Sequence, residues 1–253
     1  MPSPEGLSVL ITGGGSGLGA GIARHLAGRG ARVTITGRRA EKVQAVADSI
    51  GPAAQAVVGD VTLAADRARM IAQAVAHGGE LHGLVNNAAN MLRAPITELT
   101  EAAVLDILNT NVVAGMMLTG LAVPELERAG GAVLFFGSVH TRRSYPGAST
   151  YAASKGAVEV LARVLAAELG PKRIRVNCIV PGAVPTELNV RAGLFTEEDH
   201  IARLNSMLPD HPLGRIGTPA DIAEAAEYML TADWVTGQSL VVDGGLSLGV
   251  SYK

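Results

Sequence analysis

The chain lacks several features that would place it among secreted, membrane or nucleic-acid-binding proteins. It has a single cysteine in 253 residues, so no internal disulfide can form. Cys178 lies in the apolar run RVNCIV, which is typical of a buried thiol. The formal net charge of −2 is too small to favour nucleic acid or an anionic membrane as a partner. No basic stretch followed by a long apolar run begins the chain, so we expect no signal peptide and a cytoplasmic protein.

Aromatic residues are also scarce, at 3%, although hydrophobic residues make up 48% of the chain. The core must therefore be built mainly from Ala, Val, Leu and Ile, which suits close packing of helices on a sheet. The most apolar long segment, NVVAGMMLTGLAVP at 111–124, is too short to span a bilayer. It predicts a buried helix or a helix at a subunit interface.

Apolar strand-like runs alternate with helical segments along almost the whole chain. Strands are predicted at 7–12, 31–36, 55–60, 81–88, 132–137, 174–180 and 239–245, with the first helices at 17–29 and 40–50. Continuous apolar runs indicate strands that are covered on both faces, as in parallel sheets. The order predicts an α/β fold, a doubly wound Rossmann-type parallel sheet of seven strands with helices on both faces, in a single domain over residues 1–253. The irregular stretch 186–212 predicts a mobile flap over the site, centred on 187–210.

Glycines follow the first predicted strand in the sequence TGGGSGLG. Gly13, Gly17 and Gly19 lead directly into a predicted helix. A helix N-terminus carries unpaired N–H groups and partial positive charge, which attract a pyrophosphate. Without side chains, the backbone can approach the phosphates closely. The pattern therefore predicts a dinucleotide site, although a methyltransferase could begin in the same way.

A tyrosine and a lysine stand one helical turn apart in STYAASKGAV. Tyr151 and Lys155 therefore share one face of a predicted helix. Free tyrosine has a pKa of about 10, which makes it a poor base at neutral pH. An ammonium about 4 Å away at an effective dielectric near 20 contributes roughly 4 kcal/mol, enough to lower that pKa by about three units. Lys155 is thus expected to lower the pKa of Tyr151 to about 7. Tyr151 could then donate a proton to a carbonyl oxygen or accept one from an alcohol. Ser138, at the end of a predicted strand, would hold the substrate oxygen.

These motifs, together with NNAA at 86–89, Asn111 and PGAVPT at 181–186, resemble the short-chain dehydrogenases/reductases in order and spacing. The resemblance covers essentially the whole chain, including 211–223 and 235–245. Ala89, where glycine is commoner in the family, is a small departure. The resemblance implies an NAD(P)-dependent oxidoreductase that interconverts a ketone or aldehyde and a secondary alcohol by hydride transfer. The alternative is a catalytically silent nucleotide-sensing protein on the same fold.

The resemblance also implies roles for individual residues, and it implies no metal site. The catalytic residues would be Ser138, Tyr151, Lys155 and Asn111, where Lys155 also holds the nicotinamide ribose and Asn111 anchors a water that relays protons. The cofactor would contact Gly13, Ser16, Gly17, Leu18, Gly19, Arg38, Arg39, Asp60, Val61, Asn87, Ala88, Tyr151, Lys155, Pro181, Gly182, Val184 and Thr186. The substrate, a small molecule, would meet Asn90, His140 and Ala148, with Met91, Leu92 and Arg93 in the same pocket. A homotetramer or homodimer is implied, with helices at 111–124 and 151–169 in one interface and 239–245 in another.

The stretch GRRAEK after the second strand bears on the choice of cofactor. An acidic residue near this point binds the adenosine ribose 2′-OH in NAD-binding folds, but Gly37 stands there instead. Arg38 and Arg39 follow, and an arginine fork can bind a phosphate. We therefore expect NADP(H), with NAD(H) possible and Arg38 as the main phosphate ligand. Ser16 argues in the other direction, because many NADP-preferring relatives have a basic residue there.

Three further residues have two interpretations each. His140 follows Ser138 by two positions and either contacts a polar part of the substrate or is a partly exposed loop histidine. Arg142 and Arg143 either attract an anionic substrate or form a solvated pair on the loop.

Overall fold

The computed structural model describes residues 3–249, and its centre is one parallel sheet of seven strands. The strands are β1 (Ser8–Thr12), β2 (Arg32–Gly37), β3 (Ala54–Val58), β4 (Gly83–Asn86), β5 (Ala132–Phe136), β6 (Arg175–Pro181) and β7 (Ser239–Val242). Their order across the sheet is β3-β2-β1-β4-β5-β6-β7. The predicted fold class is confirmed. The predicted single domain includes residues 1–2 and 250–253, which lie outside the described residues.

The direction of winding reverses beside β1. Leu10 in β1 pairs with Thr34 in β2 on one side and with Leu84 in β4 on the other. The chain thus builds one half of the sheet outward from β1 and then returns to build the other half. Ligands bind at such a reversal in open α/β sheets, in the crevice beyond the carboxyl ends of the strands.

Helices cover both faces of the sheet. They are α1 (Gly17–Gly28), α2 (Ala40–Ile50), α3 (Ala64–Gly78), α4 (Glu101–Leu108), α5 (Ala114–Ala129), α6 (Ser149–Leu169), α7 (Leu188–Arg191), α8 (Glu197–Ser206) and α9 (Pro219–Thr231). Three strands, β3, β4 and β7, end two or three residues earlier than the apolar runs suggested. Asp60, Asn87 and Asp243 therefore lie in loops just beyond β3, β4 and β7.

Two apolar clusters form the core, one on each face of the sheet. Leu134 and Phe136 of β5 belong to the cluster under α1 and α9, and Val133 and Phe135 belong to the cluster under α5 and α6. This alternation is the period of a strand that is covered on both sides. Cys178 in β6 is fully buried, as predicted. Burial raises the pKa of its thiol to about 12, so it remains protonated and inert.

A π-helical turn at 109–113 joins α4 to α5. The resulting helix, Glu101–Ala129, is long and apolar enough by length and composition to cross a membrane. Its α5 part packs, however, on α3 and on β4, in the layer of helices that covers one face of the sheet. Leu118 and Ala122 are buried against the core, whereas Met117 and Leu121 are about half exposed. The apolar segment 111–124 is therefore helical, with one face in the core and one apolar face on the surface.

The predicted flap contains regular structure. It includes α7, α8 and a 3₁₀ turn at Leu208–Asp210. Thr196 caps α8 by accepting a hydrogen bond from Asp199 N at 3.1 Å. Only His200 and Leu204 of α8 are buried, so the apolar periodicity that would have predicted this helix is weak. Its mobility stays a prediction.

Candidate active site

The glycine-rich turn between β1 and α1 approaches neighbouring backbone too closely for side chains. Gly13 and Gly17 have φ of +66° and +52°, in the left-handed region that favours glycine. A Cβ on Gly13 would lie 2.9 Å from Asn87 Nδ2, and one on Gly19 would lie 2.4 Å from Gly13 O. The side chain of Ser16 makes no capping hydrogen bond to α1 within the described chain. The first N–H groups of α1 thus stay available to a phosphate, as predicted for a dinucleotide turn.

The turn is fastened to the end of β4. Asn87 Nδ2 donates hydrogen bonds to Thr12 O at 2.9 Å and to Gly13 O at 3.2 Å. The backbone N–H groups of Asn87 and Ala88 both donate to Thr12 Oγ1 at 3.0 Å. Gly19, which was predicted to contact the cofactor, lies behind the turn and does not line the cleft. Its role is to let α1 pack against the turn.

Arg38, Arg39 and Lys42 line the end of the cleft beside β2 and α2. We call it the adenosine end, because the sequence predicts that the cofactor's adenosine binds there. Arg39 Nη2 lies 3.2 Å from Ser16 Oγ and 2.7 Å from Glu187 Oε2, and Lys42 Nζ lies 3.3 Å from Glu187 Oε1. Arg38 Nη1 lies 3.8 Å from Asp60 Oδ2. Burial raises the pKa of Glu187, but the hydrogen bonds from Arg39 and Lys42 outweigh it and lower that pKa below its usual value. Sequence reasoning did not identify Glu187 or Lys42, because a contact between α2 and the flap leaves no local signal.

Tyr151, Lys155 and Ser138 meet in the middle of the cleft. All three are buried, with Tyr151 and Lys155 on the first two turns of α6 and Ser138 just after β5. Lys155 Nζ donates a hydrogen bond to Phe136 O at 2.9 Å. It lies 5.6 Å from the centre of the Tyr151 ring. The predicted grouping is therefore present at the carboxyl end of β5.

The expected lowering of the pKa of Tyr151 is absent from this arrangement, and that expectation is corrected here. Burial raises the pKa of Tyr151 to about 12, and the Ser138 side chain opposes this only in part. Burial also lowers the pKa of Lys155 to about 8. The reason is that burial disfavours the charged form of each residue, the phenolate of Tyr151 and the ammonium of Lys155. In this arrangement Tyr151 is protonated at neutral pH.

Asn111 lies in the π-helical turn and is buried. Its Nδ2 donates hydrogen bonds to Asn90 O at 2.9 Å and to Ser154 Oγ at 3.0 Å, and its Oδ1 accepts one from Asn90 N at 2.7 Å. Asn111 therefore ties the loop after β4 to α6, one residue from Lys155. Its predicted role in holding a water stays a prediction.

His140 lies between Ser138 and two tyrosines. Its Nδ1 is 3.0 Å from Ser138 Oγ. Its ring centre lies 5.1 Å from that of Tyr151, edge to face, and 4.4 Å from that of Tyr145. Burial, followed by the charges of nearby arginines, lowers the pKa of His140 to about 4. The imidazole is therefore neutral at neutral pH and lines the cleft.

Most predicted contacts do line the cleft, and two substrate contacts do not. The lining residues that the sequence identified are Gly13, Ser16, Gly17, Leu18, Arg38, Arg39, Asp60, Val61, Asn87, Ala88, Asn90, Met91, Arg93, Ser138, His140, Tyr151, Lys155, Pro181, Gly182, Val184 and Thr186. The predicted substrate contact of Ala148 is not present. Ala148 is buried at the start of α6, where its carbonyl accepts a hydrogen bond from Ala152 N at 2.8 Å. Leu92 also lies outside the lining.

The two arginines after His140 do not face the cleft. Arg142 forms an ion pair with Glu159, and Arg143 Nη1 lies 3.1 Å from Asp210 Oδ2. The interpretation that they attract a substrate is therefore not supported, and each is paired rather than merely solvated. Besides Arg38 and Arg39, the arginines that line the cleft are Arg93, Arg191 and Arg203. Arg191 Nη2 donates a hydrogen bond to Ala89 O at 2.6 Å. Within residues 3–249 no cluster of His, Cys, Asp and Glu could hold a metal ion.

Comparison with known proteins finds similar chains over nearly the full length. The family described as Enoyl-(Acyl carrier protein) reductase matches residues 13–247. Dehydrogenase/reductase SDR family member 4 of Sus scrofa is 36% identical over 248 residues, covering 95% of this chain and 87% of that protein. The granaticin polyketide synthase putative ketoacyl reductase 2 of Streptomyces violaceoruber is 34% identical over 251 residues, covering 97% and 98%.

Solved structures resemble this fold equally closely. The 3-ketoacyl-(acyl-carrier-protein) reductase of Brucella melitensis, complexed with NADH, superposes with a TM-score of 0.88 at 33% identity, covering 97% of this chain and all of that one. A short-chain dehydrogenase/reductase of unknown function from Caenorhabditis elegans, with cofactor, gives a TM-score of 0.91 at 28% identity, covering 98% and 97%.

Proposed function

The chain belongs to the short-chain dehydrogenase/reductase family of oxidoreductases, and we propose that it interconverts a ketone or aldehyde and a secondary alcohol with NAD(P)(H), using Tyr151 as the acid/base. The observation that carries this proposal is the meeting of Ser138, Tyr151 and Lys155 in one cleft with a glycine turn that admits a phosphate. A protein that only senses nucleotides has no need of this buried trio.

The residues present fit a dinucleotide cofactor. The glycine turn leaves a cradle that a Cβ on Gly13 or Gly17 would narrow, and the uncapped start of α1 faces it. Arg38, Arg39 and Asp60 would meet the adenosine end, and Lys155 would hold the nicotinamide ribose. Pro181, Gly182, Val184 and Thr186 would hold the carboxamide end. When bound, the cofactor supplies or accepts the hydride.

The chain's own residues would move the proton. In the reductive direction Tyr151, protonated at neutral pH because burial raises its pKa to about 12, donates its proton to the carbonyl oxygen. In the oxidative direction it must first lose that proton. A positive charge brought near its oxygen, from Lys155 or from an oxidised nicotinamide, favours that loss. Asn111 would hold the water through which the proton reaches solvent.

His140 would position Ser138 rather than react. If His140 Nδ1 carries the ring proton, it donates to Ser138 Oγ and leaves the serine hydroxyl hydrogen free for the substrate oxygen. The neutral ring and the Nδ1–Oγ distance of 3.0 Å support this arrangement. His140→Asn, which keeps a donor, should then retain more kcat than His140→Ala at similar KM. Equal kcat losses in the two variants would refute the positioning role.

NADP(H) is the proposed cofactor. The support is the absence of a carboxylate at Gly37 and the three cations at this end of the cleft, Arg38, Arg39 and Lys42. A charge-assisted hydrogen bond contributes about 1.5–3 kcal/mol, so Arg38→Ala should lower kcat/KM for NADPH by about tenfold to a hundredfold and spare NADH. Arg39→Ala is the matched control, because Arg39 already donates a hydrogen bond to Ser16. It should lower kcat/KM for NADPH less than Arg38→Ala does. A wild type that prefers NADH, or a ratio unchanged by Arg38→Ala, would show the assignment to be wrong.

The surface of α5 and α6 supports an oligomer. Met116, Met117 and Leu121 of α5 and Val160 and Val164 of α6 are apolar and exposed, and a monomer would leave this area in water. We propose a cytoplasmic homotetramer or homodimer that buries it. Light scattering would distinguish these states from a monomer.

A panel of ketones and secondary alcohols, assayed with NADPH and with NADH, tests the function. The proposal expects turnover by the wild-type protein and its loss in Tyr151→Phe. A protein that binds a cofactor but turns over no carbonyl or alcohol in the panel would instead be the silent sensor.

A further inference from the structure

Two arginines on different elements line the substrate side of the cleft without a carboxylate partner. Arg93 lies in the loop after β4, and Arg203 lies on α8 in the flap. Across residues 3–249, neither guanidinium forms an ion pair or a hydrogen bond to another residue. Arg203 only covers the Phe195 ring, at 5.3 Å from its centre. Arg142 and Arg143, outside the cleft, each have an acidic partner.

Both positive charges act on the centre of the substrate side. Arg93 and Arg203 are the two charges that, after burial, contribute most to lowering the pKa of His140. They also act on one another, since burial first and then the charge of Arg203 lower the pKa of Arg93. Arginine stays charged at any pH the protein meets. Two half-buried cations that repel each other are stabilised by an anion between them.

The hydroxyl of Tyr145 adds a second, independent observation. Tyr145 lines the same part of the cleft, and its ring lies 4.4 Å from that of His140. Its Oη is buried and has no hydrogen-bond partner within the described residues. An unmade hydrogen bond at a buried hydroxyl is unfavourable. After burial, the charges that act on Tyr145 are those of Arg143, Arg203, Asp210 and Arg93. Of these residues, Arg203 and Arg93 line the cleft together with Tyr145.

We propose that the substrate is an oxo acid or hydroxy acid whose carboxylate binds between Arg93 and Arg203, with Tyr145 Oη donating a hydrogen bond to it. This inference rests on the proposed function and names its substrate class. The carbonyl or hydroxyl group of the same molecule faces Ser138 and Tyr151. In reduction the hydride goes to the carbonyl carbon and the proton of Tyr151 goes to the oxygen, which yields a hydroxy acid and oxidised cofactor. A planar carboxylate matches the fork of an arginine.

The carboxylate would also connect the flap to the body of the protein. Arg203 belongs to α8, and Arg93 belongs to the loop that Asn111 holds through Asn90. An anion bound by both arginines brings these two segments together over Ser138 and Tyr151. Neutral carbonyl compounds make no such link, so selectivity for acids should appear in binding as well as in turnover.

Calorimetry on the protein saturated with NADP⁺ tests the inference without turnover. The probes are levulinate and acetoacetate, each compared with its primary amide. Levulinate and acetoacetate should bind at least about tenfold more tightly than levulinamide and acetoacetamide, because a hydrogen bond to a charged group contributes about 1.5–3 kcal/mol. Arg93→Gln and Arg203→Gln should each remove most of that preference. Arg24→Gln, on the exposed surface of α1, removes the same charge far from the cleft and should leave it unchanged.

Arg93→Lys is a control for misfolding of the Arg93→Gln variant. It keeps the positive charge and should keep part of the preference for acids over amides. Equal binding of acids and amides, no measurable binding of the acids, or equal effects of Arg24→Gln and Arg93→Gln would overturn the inference. Turnover on the same probes separates it from the proposed function. A preference for acids without any hydride transfer would contradict the function alone, and hydride transfer to amides and acids at equal kcat/KM would contradict the inference alone.

Discussion

The two ends of the cleft differ in how their positive charges are partnered. At the adenosine end Glu187 is bonded to Arg39 and Lys42. At the substrate end Arg93 and Arg203 have no carboxylate partner among residues 3–249. An anion that binds Arg39 or Lys42 must displace Glu187, whereas an anion that binds Arg93 or Arg203 displaces no carboxylate of the described residues.

The difference has a consequence for the flap. Glu187 stands immediately before α7, so its bonds to Arg39 and Lys42 hold the start of the flap against α2. A 2′-phosphate that takes those cations would release this contact. Arg203, later in the flap, would then be fixed by the substrate. Under these proposals, cofactor and substrate would act on opposite ends of one segment.

Tyr151→Phe should have the largest effect, and it is confined to the catalytic centre between the two ends. Removing the ionisable oxygen eliminates proton transfer, which contributes about a hundredfold to ten-thousandfold in rate. We expect kcat to fall by that amount while the Kd for NADPH stays unchanged. The matched control, Tyr228→Phe, alters an exposed tyrosine on α9 and should leave both quantities at wild-type values. A Tyr151→Phe enzyme with wild-type kcat would contradict the assignment.

Gly19→Ala should disrupt the packing of α1 against the glycine turn. Its methyl group would lie 2.4 Å from Gly13 O, and overpacking of this kind costs about 1–3 kcal/mol. We expect a lower free energy of unfolding in urea and weaker cofactor binding. Gly28→Ala, at the last residue of the same helix with nothing within 4 Å of the new methyl, should instead raise stability, by less than the roughly 0.5–1 kcal/mol typical of a helix interior. The same sign for the two variants would show that the close packing at Gly19 does not matter.

Glu187→Gln removes the carboxylate partner of Arg39 and Lys42. The adenosine end would then resemble the substrate end, where the cations have no carboxylate partner among the described residues. Each exposed ion pair contributes about 0–1 kcal/mol, so we expect the Kd for NADPH to fall a few-fold while that for NADH changes little. Glu41→Gln, in the first turn of α2 and exposed, is the control for the lost charge. If NADPH binds more weakly to Glu187→Gln, then Glu187 supports the cofactor rather than competing with its phosphate.

The smallest expected effect concerns His140 and pH. Its pKa falls from 6.5 to about 4 on folding, so between these values the unfolded chain binds a proton that the folded protein does not. The folded state therefore loses stability as pH falls through this window, and this contribution is fully retained above 6.5. His140→Asn should lose less thermal stability than wild type between pH of about 7 and about 5. Parallel losses in the two proteins would mean that His140 is not buried in its neutral form.

The features that sequence predicted are those encoded by local spacing. One turn of the chain contains both Gly13 and Gly17, and one helical turn separates Tyr151 from Lys155. The proximity within each pair therefore follows directly from the sequence. The features it missed depend on contacts between distant segments. The packing of distant segments buries Tyr151, and this burial raises its pKa rather than lowering it.

The substrate side was the least predictable part for the same reason. Arg203 reaches the cleft only because α8 folds over it, and α8 has little apolar periodicity. Arg142 and Arg143 looked equally suited to an anion, yet Glu159 and Asp210, both distant in sequence, pair with them. Whether an arginine has a carboxylate partner depends on packing between distant segments, and no sequence motif indicates that packing.

Isotope transfer tests the central claim, hydride transfer with Tyr151 as proton donor, most directly. The protein is incubated with NADPH deuterated at nicotinamide C4 on the transferred face and with the carbonyl panel, and the alcohols are analysed by mass spectrometry. The account predicts one deuterium on the carbinol carbon with the wild-type protein and almost none, over the same time, with Tyr151→Phe. Alcohol formed without cofactor deuterium, or equal deuterium from both proteins, would contradict it.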